Sequence, residues 1–445
     1  MQGSSHKISP LQAIVLSFAF LILIGTFLLA LPISSESGRS IKTIDAFFTA
    51  TSAVCVTGLI VVDTPKAFTT FGEVVILLLI QFGGIGIVTA GTILLVLMGQ
   101  QISLRNRLIL KESLAAKGHK QLVMLVVSVI KFTLAIELIG AAILAYLFMK
   151  DFGPVQSVYL GIFHSISAFC NAGFSLFSDS LIRYVDNWQM NLTLMILIIL
   201  GGLGFPVLSE IRSYKKGKAL SIRAKIVLIT STALIFGGAF LIHIFTTMHV
   251  DQSYNQLSPI GKFLTCMFQS VTARTAGFNT VDLNIFPDVA IVVIIILMFI
   301  GGSPQSTAGG IKTTTFWIIL VSAWSYLKGN DSIRIWHKQI HPETFRRAVV
   351  LTIMAFLLVM VASALLIYYN NSEKNQLKLL FETVSAFGTV GLSMGPTFEL
   401  NTMQKLILIL MMFIGRIGPL SFAFFFVTRK KKSMIEYPDV DIPTG

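Results

Sequence analysis

Four times in this chain a short run of small, hydroxylated and apolar residues ends in a glycine followed by Leu or Phe; the runs occupy 51–59, 167–174, 272–278 and 385–392. Their terminal glycines, Gly58, Gly173, Gly277 and Gly391, lie 115, 104 and 114 residues apart. A long, nearly fixed period means that one structural unit has been repeated. Each run stands between two long apolar segments, so the unit reads as helix, short segment with a glycine turn, helix. Four such units around one axis make a pore.

Hydrophobic residues outnumber charged ones 54% to 12%, with a mean hydropathy of +0.80, which excludes an ordinary soluble domain. Apolar stretches long enough for a ~30 Å hydrocarbon core, about 20 residues each, fall near 11–33, 74–98, 121–149, 190–211, 224–248, 289–326, 348–369 and 403–427. The expected fold is therefore all-α integral membrane: eight transmembrane spans and four re-entrant pore helices around a pseudo-fourfold central pore. The first span is too long for a signal-peptide core and lacks a small-x-small cleavage site, so it is expected to be retained. The repeats are expected at 1–110, 111–220, 221–340 and 341–428, with a short tail at 429–445.

Orientation follows from where Lys and Arg fall. Most of the 34 basic residues lie in the N-terminal tail, between spans two and three, four and five, and six and seven, or after span eight. The opposite loops mix signs, as in Glu36/Arg39/Lys42/Asp45. Both termini are thus expected in the cytoplasm, with all four glycine runs entering from outside. The net charge of +13 is spread over span ends rather than gathered in one patch. That distribution fits topogenic and lipid-facing roles and no nucleic acid, though it leaves an acidic cytoplasmic partner open. Cys55, Cys170 and Cys266 have no CxxC spacing, so no disulfide framework or zinc site is expected. No Walker motif or paired carboxylates occur, and the chain is not expected to be an enzyme or to hydrolyse ATP.

The apolar segments before the glycines, 44–53, 158–169, 260–273 and 377–386, are too short to span and must leave on the side they enter. Non-helical backbone at membrane depth is tolerated only where protein covers it or water lines it. Four such strands can turn their carbonyls inward to replace a cation's hydration shell. Glycine supplies the backbone conformation that aligns successive carbonyls, and the negative helix C-termini favour a cation at the centre. The expected ion-binding residues are Val56, Thr57 and Gly58; Asn171, Ala172 and Gly173; Thr275, Ala276 and Gly277; and Thr389, Val390 and Gly391. The alternatives are four connecting turns in a non-conducting scaffold or membrane enzyme, and an alternating-access transporter.

These runs, together with Gly201-Gly-Leu-Gly-Phe-Pro206 and Ser209-Glu210 in span four, Gly301-Gly-Ser-Pro-Gln-Ser-Thr-Ala-Gly-Gly-Ile-Lys312 in span six and Gly415-Arg-Ile-Gly-Pro419 in span eight, resemble the Trk/Ktr/HKT superfamily of cation transport proteins. Length and short termini resemble its KtrB-type membrane subunits. The resemblance implies potassium uptake, often sodium-dependent, and a homodimer with one complete pore per protomer. It also implies a cytoplasmic regulatory ring of RCK domains (KtrA-like) that binds ATP or ADP and controls the gate. In plant relatives a serine at the first filter glycine accompanies sodium preference; Gly58 occupies that position here, which favours potassium.

Three features break the fourfold pattern. Where Cys55, Cys170 and Gly388 stand three residues before their glycines, the third run has Arg274, and its helix is displaced by one residue. A guanidinium facing a cation would repel it, so Arg274 is expected to support the filter from behind, bonded to carbonyls or a carboxylate. In span six, Gly301-Gly302 and Gly309-Gly310 bracket Ser303 to Ala308, a stretch unsuited to a continuous helix. It reads as a gate loop containing Ser303 and Gln305, with Lys312 as a mobile charge; close helix packing through small residues is the alternative. Arg416 lies 13 residues before the basic cytoplasmic end, roughly 20 Å deep. It is expected to face a cavity or hold the span-six loop, with a purely structural pair as the alternative. Gly83-Gly-Ile-Gly86 in span two reads as helix packing, not a dinucleotide fingerprint.

Overall fold

The computed structural model describes residues 10–86, 119–214, 219–248, 254, 256–330, 332–336, 338–370, 376–419 and 422. The parts of spans two and eight beyond 86 and 422, most of the basic segments expected in the cytoplasm and the tail lie outside them. The described architecture is helical. Its strands are two-residue pieces, β1 (Arg334–Ile335) and β2 (Lys338–Gln339), paired antiparallel.

In chain order the longer helices are α1 (Pro10–Ala30), α2 (Thr43–Val54), α3 (Thr70–Ile85), α4 (His119–Phe148), α5 (Pro154–Phe169), α6 (Trp188–Leu203), α7 (Phe205–Tyr214) and α8 (Ile222–Thr247). They continue as α9 (Pro259–Thr272), α10 (Asp288–Phe299), α11 (Thr313–Leu327), α12 (Pro342–Tyr368), α13 (Gln376–Gly388) and α14 (Thr402–Ile417). The short helices α2, α5, α9 and α13 each precede a glycine run and pack against the long helix before them. Their starts are set locally. Pro154 and Pro259 sit at the first helical position, where no N–H is needed, and Ser258 caps α9 by accepting from the Gly261 N–H. Among the helices after the runs, α6 is capped by Asn187 and α14 by an Asn401/Gln404 capping box.

The surface and the core are arranged for lipid. Phe20, Phe27, Leu138, Tyr146, Phe236, Phe240, Phe356 and Val361 turn outward from α1, α4, α8 and α12, while Glu137, His164, Gln269 and Glu382 are buried. An apolar outer face around a core that admits ionisable and amide groups departs from the soluble pattern. By length and composition Val127–Phe148, Ile222–Thr247 and Pro342–Tyr368 are each able to cross a membrane, and α6 with α7 qualifies as a bent pair.

Two breaks shape the interior. A single span over 190–211 is corrected: the chain bends by 102° between α6 and α7. The cause is Gly204, at φ 86° and ψ 138°, followed closely by Pro206. Gly86 and Gly418 end α3 and α14 in the same conformation, at φ 88° and 93°. Between α10 and α11 the chain leaves the helix at Ile300 and resumes at Thr313, and Ile300 pairs with Ile311 as a parallel bridge.

Candidate functional site

Each of the four glycines has positive φ, and so does the residue two positions before it: Val56 and Gly58 (55° and 88°), Asn171 and Gly173 (59° and 69°), Thr275 and Gly277 (74° and 80°), Thr389 and Gly391 (50° and 91°). Left-handed residues alternating with right-handed or extended ones turn successive carbonyls to one side. Asn tolerates this conformation, but Val56, Thr275 and Thr389 are β-branched and strained there. Such strain persists only where the surroundings fix it.

The surroundings here are the other three runs. A side chain at Gly173 would meet the Ala276 carbonyl oxygen at 2.7 Å, and one at Gly277 would meet that of Val390 at 2.6 Å. Likewise Gly58 abuts the carbonyl of Ala172, and Gly391 abuts that of Thr57. The contacts therefore close a ring, first run to second, second to third, third to fourth and fourth to first. The residues between the left-handed positions, Thr57, Ala172, Ala276 and Val390, are buried.

Hydroxyls in the short helices tie each turn back. Ser52 and Ser385 accept from the Gly58 and Gly391 N–H groups at 3.0 and 3.1 Å. Ser167 and Thr272 donate to the Phe174 and Phe278 carbonyls, both at 2.8 Å. In runs one, two and four the N–H before the glycine donates five residues back, as Thr57 does to Ser52 O; in run three Ala276 donates four back, to Thr272 O. The third turn is thus one residue shorter, matching the displacement in its sequence. Arg274, at that shortened turn, is 8% exposed and directs its guanidinium at α8, donating to Ser231 O (3.4 Å) and Ser231 Oγ (3.2 Å). Of the two kinds of partner expected for it, the described residues supply a carbonyl, with a hydroxyl in place of the carboxylate.

Beneath the ring lies the 300–312 loop. Its backbone donates from Ser303 to Gly202 O (3.0 Å) and from Thr307 to Gly201 O (3.3 Å), and Thr307 Oγ1 donates to Phe169 O at the end of α5 (3.3 Å). Gly309 approaches the fourth run so closely that a side chain would strike Thr389 Oγ1. Gln305 and Gly310 take positive φ, 61° and 62°, and Gly301 abuts Gly309. Arg416 reaches from α14 to two carbonyls, Thr307 O in the loop and Gly83 O in α3. Lys312 donates back to Ala308 O (2.7 Å) and Gly309 O (3.3 Å), so its charge is held by the loop's own carbonyls. Arg223 of α8 donates to Gln305 Oε1 of the loop at 2.8 Å.

A second repeated motif escaped the sequence reading. Gly83-Gly-Ile-Gly86, Gly201-Gly-Leu-Gly204, Gly301-Gly-Ser-Pro304 and Gly415-Arg-Ile-Gly418 follow the four runs at similar distances. The first glycine of three of them lies against a carbonyl at the C-terminal end of a short helix: Gly83 on Val54 O, Gly201 on Phe169 O and Gly415 on Phe387 O. Arg416 thus occupies the position that is glycine in the other three, and Pro304 the position of the helix-ending glycine. The signal is a second internal repeat, legible in the four segments side by side.

The TrkH family of cation transport proteins matches residues 7–436. The chain is 39% identical to the Ktr system potassium uptake protein B of Bacillus subtilis over 99% of its own length and 97% of that protein's. It is 39% identical to the protein of the same name from Vibrio alginolyticus (98% and 94%) and 35% identical to the potassium/sodium uptake protein NtpJ of Enterococcus hirae (99% and 98%). The crystal structure of the potassium transporter TrkH from Vibrio parahaemolyticus superposes with a TM-score of 0.73 at 18% identity, over 96% of this chain and 86% of that one. The chain belongs to the TrkH family of cation transport proteins and is a multi-pass membrane protein.

Proposed function

We propose that this chain takes up potassium through the ring of its four glycine runs, which form the selectivity filter. The closed sequence of contacts among Gly58, Gly173, Gly277 and Gly391 carries this reading, together with the alternating left-handed residues that aim successive carbonyls one way. Val56, Thr57 and Gly58, Asn171, Ala172 and Gly173, Thr275, Ala276 and Gly277, and Thr389, Val390 and Gly391 supply the carbonyls, which substitute for water around a desolvated cation. In this reading the fold is four helix–pore loop–helix repeats with eight spans, α2, α5, α9 and α13 being the pore helices, and both termini are cytoplasmic. Arg274 buttresses the third turn from behind. The 300–312 loop is the gate: Gly301, Gly302, Gly309 and Gly310 let it bend, Ser303 and Gln305 anchor it, and Lys312 and Arg416 place positive charge below the filter while it is closed. The names of the similar proteins support potassium, and that of the Enterococcus protein supports sodium as co-ion or activator. By family resemblance the protomer works as a homodimer on a cytoplasmic RCK ring that binds ATP or ADP. Expression in a potassium-uptake-deficient strain, with the gene for its cytoplasmic partner, tests the proposal. Restored growth on low potassium is expected, and a folded, membrane-inserted chain that leaves uptake at background refutes it.

A further inference from the structure

Nine residues before the fourth glycine, Glu382 stands fully buried in α13 and gathers the chain that leaves the turn. Its Oε1 accepts from Ser393 Oγ (2.6 Å) and the Met394 N–H (3.2 Å), and its Oε2 accepts from Thr397 Oγ1 (2.6 Å). Ser393 in turn accepts from the Gly395 N–H at 3.0 Å. The same arrangement recurs in the second run. His164, nine residues before Gly173 and fully buried in α5, has Nδ1 2.8 Å from Leu160 O. A carbonyl only accepts, so Nδ1 carries the proton and Nε2 is left to accept from Ser175 Oγ, 3.1 Å away. Ser175 accepts from the Phe177 N–H at 3.1 Å, as Ser393 does from that of Gly395. In both runs, then, a hydroxyl two residues past the glycine joins the middle of the pore helix to the first turn of the exit strand.

The other two runs lack the joint. In the first, Thr49 occupies the helix position and donates to Asp45 O in its own helix, while Ile60 has no hydroxyl to offer. In the third, whose turn is one residue shorter, Gln269 occupies it with both amide atoms unpartnered, and Asn279 stands where the serine would be. The ring order places runs two and four opposite each other. Along one diagonal the exit strands are therefore tied by this joint to the middle of their own short helices; along the other they are not, the third strand bonding instead at Asn279 to Ser180 and Leu181.

We propose that Glu382 and His164 are positioning residues for ion discrimination, which act through Ser393 and Ser175 to fix the outer mouth of the ring along this diagonal. Neither side chain touches the ion. A carbonyl ring selects by the spacing and stiffness of its oxygens, and the exit strand sets both for the last carbonyls of its run. The proposal rests on the ring being the filter, so the test carries a control for that reading.

The full-length chain is reconstituted in liposomes and its potassium and sodium permeabilities are measured for Ser393→Ala, Ser175→Ala, Ser393→Thr and Gly391→Ser. Each alanine variant is expected to lower the potassium-to-sodium ratio severalfold, up to about tenfold if the whole of one lost hydrogen bond falls on the potassium-occupied ring, and Ser393→Thr is expected to keep it by keeping the hydroxyl. A merely structural role would lower the yield or melting point of the alanine variants but leave the ratio of the folded fraction unchanged. Parental ratios in both alanine variants beside a reduced ratio in Gly391→Ser overturn the brace and leave the filter standing. A parental ratio in Gly391→Ser as well overturns both. The two serines lie in different repeats, so misfolding of one variant leaves the other to decide.

Discussion

Glycine at the ring positions is a steric requirement before it is a chemical one. At Gly58 a side chain has two obstacles, a φ of 88° and the Ala172 carbonyl in its path. Gly58→Ser is therefore expected to displace the first run and lower potassium preference over sodium, read as the ratio of initial uptake rates; an unchanged ratio counts against these carbonyls as the filter. The glycines and the residue types around them were legible in the sequence because a positive-φ residue leaves a compositional mark. The second left-handed position left none. Val56, Thr275 and Thr389 are β-branched, a class that propensity disfavours in this conformation, and the closing of the ring together with the bonds back to the short helices holds them in it. The partner of Arg274 was equally hidden, since Ser231 lies 43 residues away on α8 and nothing local marks it.

At the scale of elements, three of the short helices, α2, α5 and α13, stand on the glycines of the helices that follow them. Gly415→Ala would drive a methyl group into Phe387 O at the end of α13. Overpacking of this kind costs about 1–3 kcal/mol, so a lower melting temperature in detergent is expected, while Gly237→Ala, with open space around it, should leave the temperature within a degree or two of the parent. The 300–312 loop makes the opposite prediction. It is held by Arg416 through Thr307 O and by Arg223 through Gln305, with no helix of its own. Arg416→Ala is expected to raise potassium flux severalfold with unchanged selectivity; reduced flux from a folded variant would mean that Arg416 supports conduction. The break in span six was readable from its Gly-Gly pairs and proline. The 102° bend after α6 was not, although Gly204 and Pro206 lay in plain view, because hydropathy runs through the bend without interruption.

For the whole molecule the fourfold period fixed the number of runs, and the structure adds their order around the ring and the ways in which they differ. In runs two and four a serine past the glycine bonds back to the short helix, the third turn is a residue shorter, and the fourth helix pair carries the arginine. Function in this account divides accordingly, with selectivity in what the runs share and gating in what they do not. Sidedness is a property of the whole chain. The three native cysteines are buried, so single cysteines at Lys66 and Lys328 report topology cleanly. An impermeant maleimide added outside intact cells is expected to label Lys66→Cys and not Lys328→Cys; the reverse pattern would invert the orientation. The central claim is tested most directly by a crystal structure with rubidium in place of potassium. Anomalous density is expected inside the ring of Thr57, Ala172, Ala276 and Val390, and a transport-competent protein with rubidium bound elsewhere and none between the four glycine runs would contradict it.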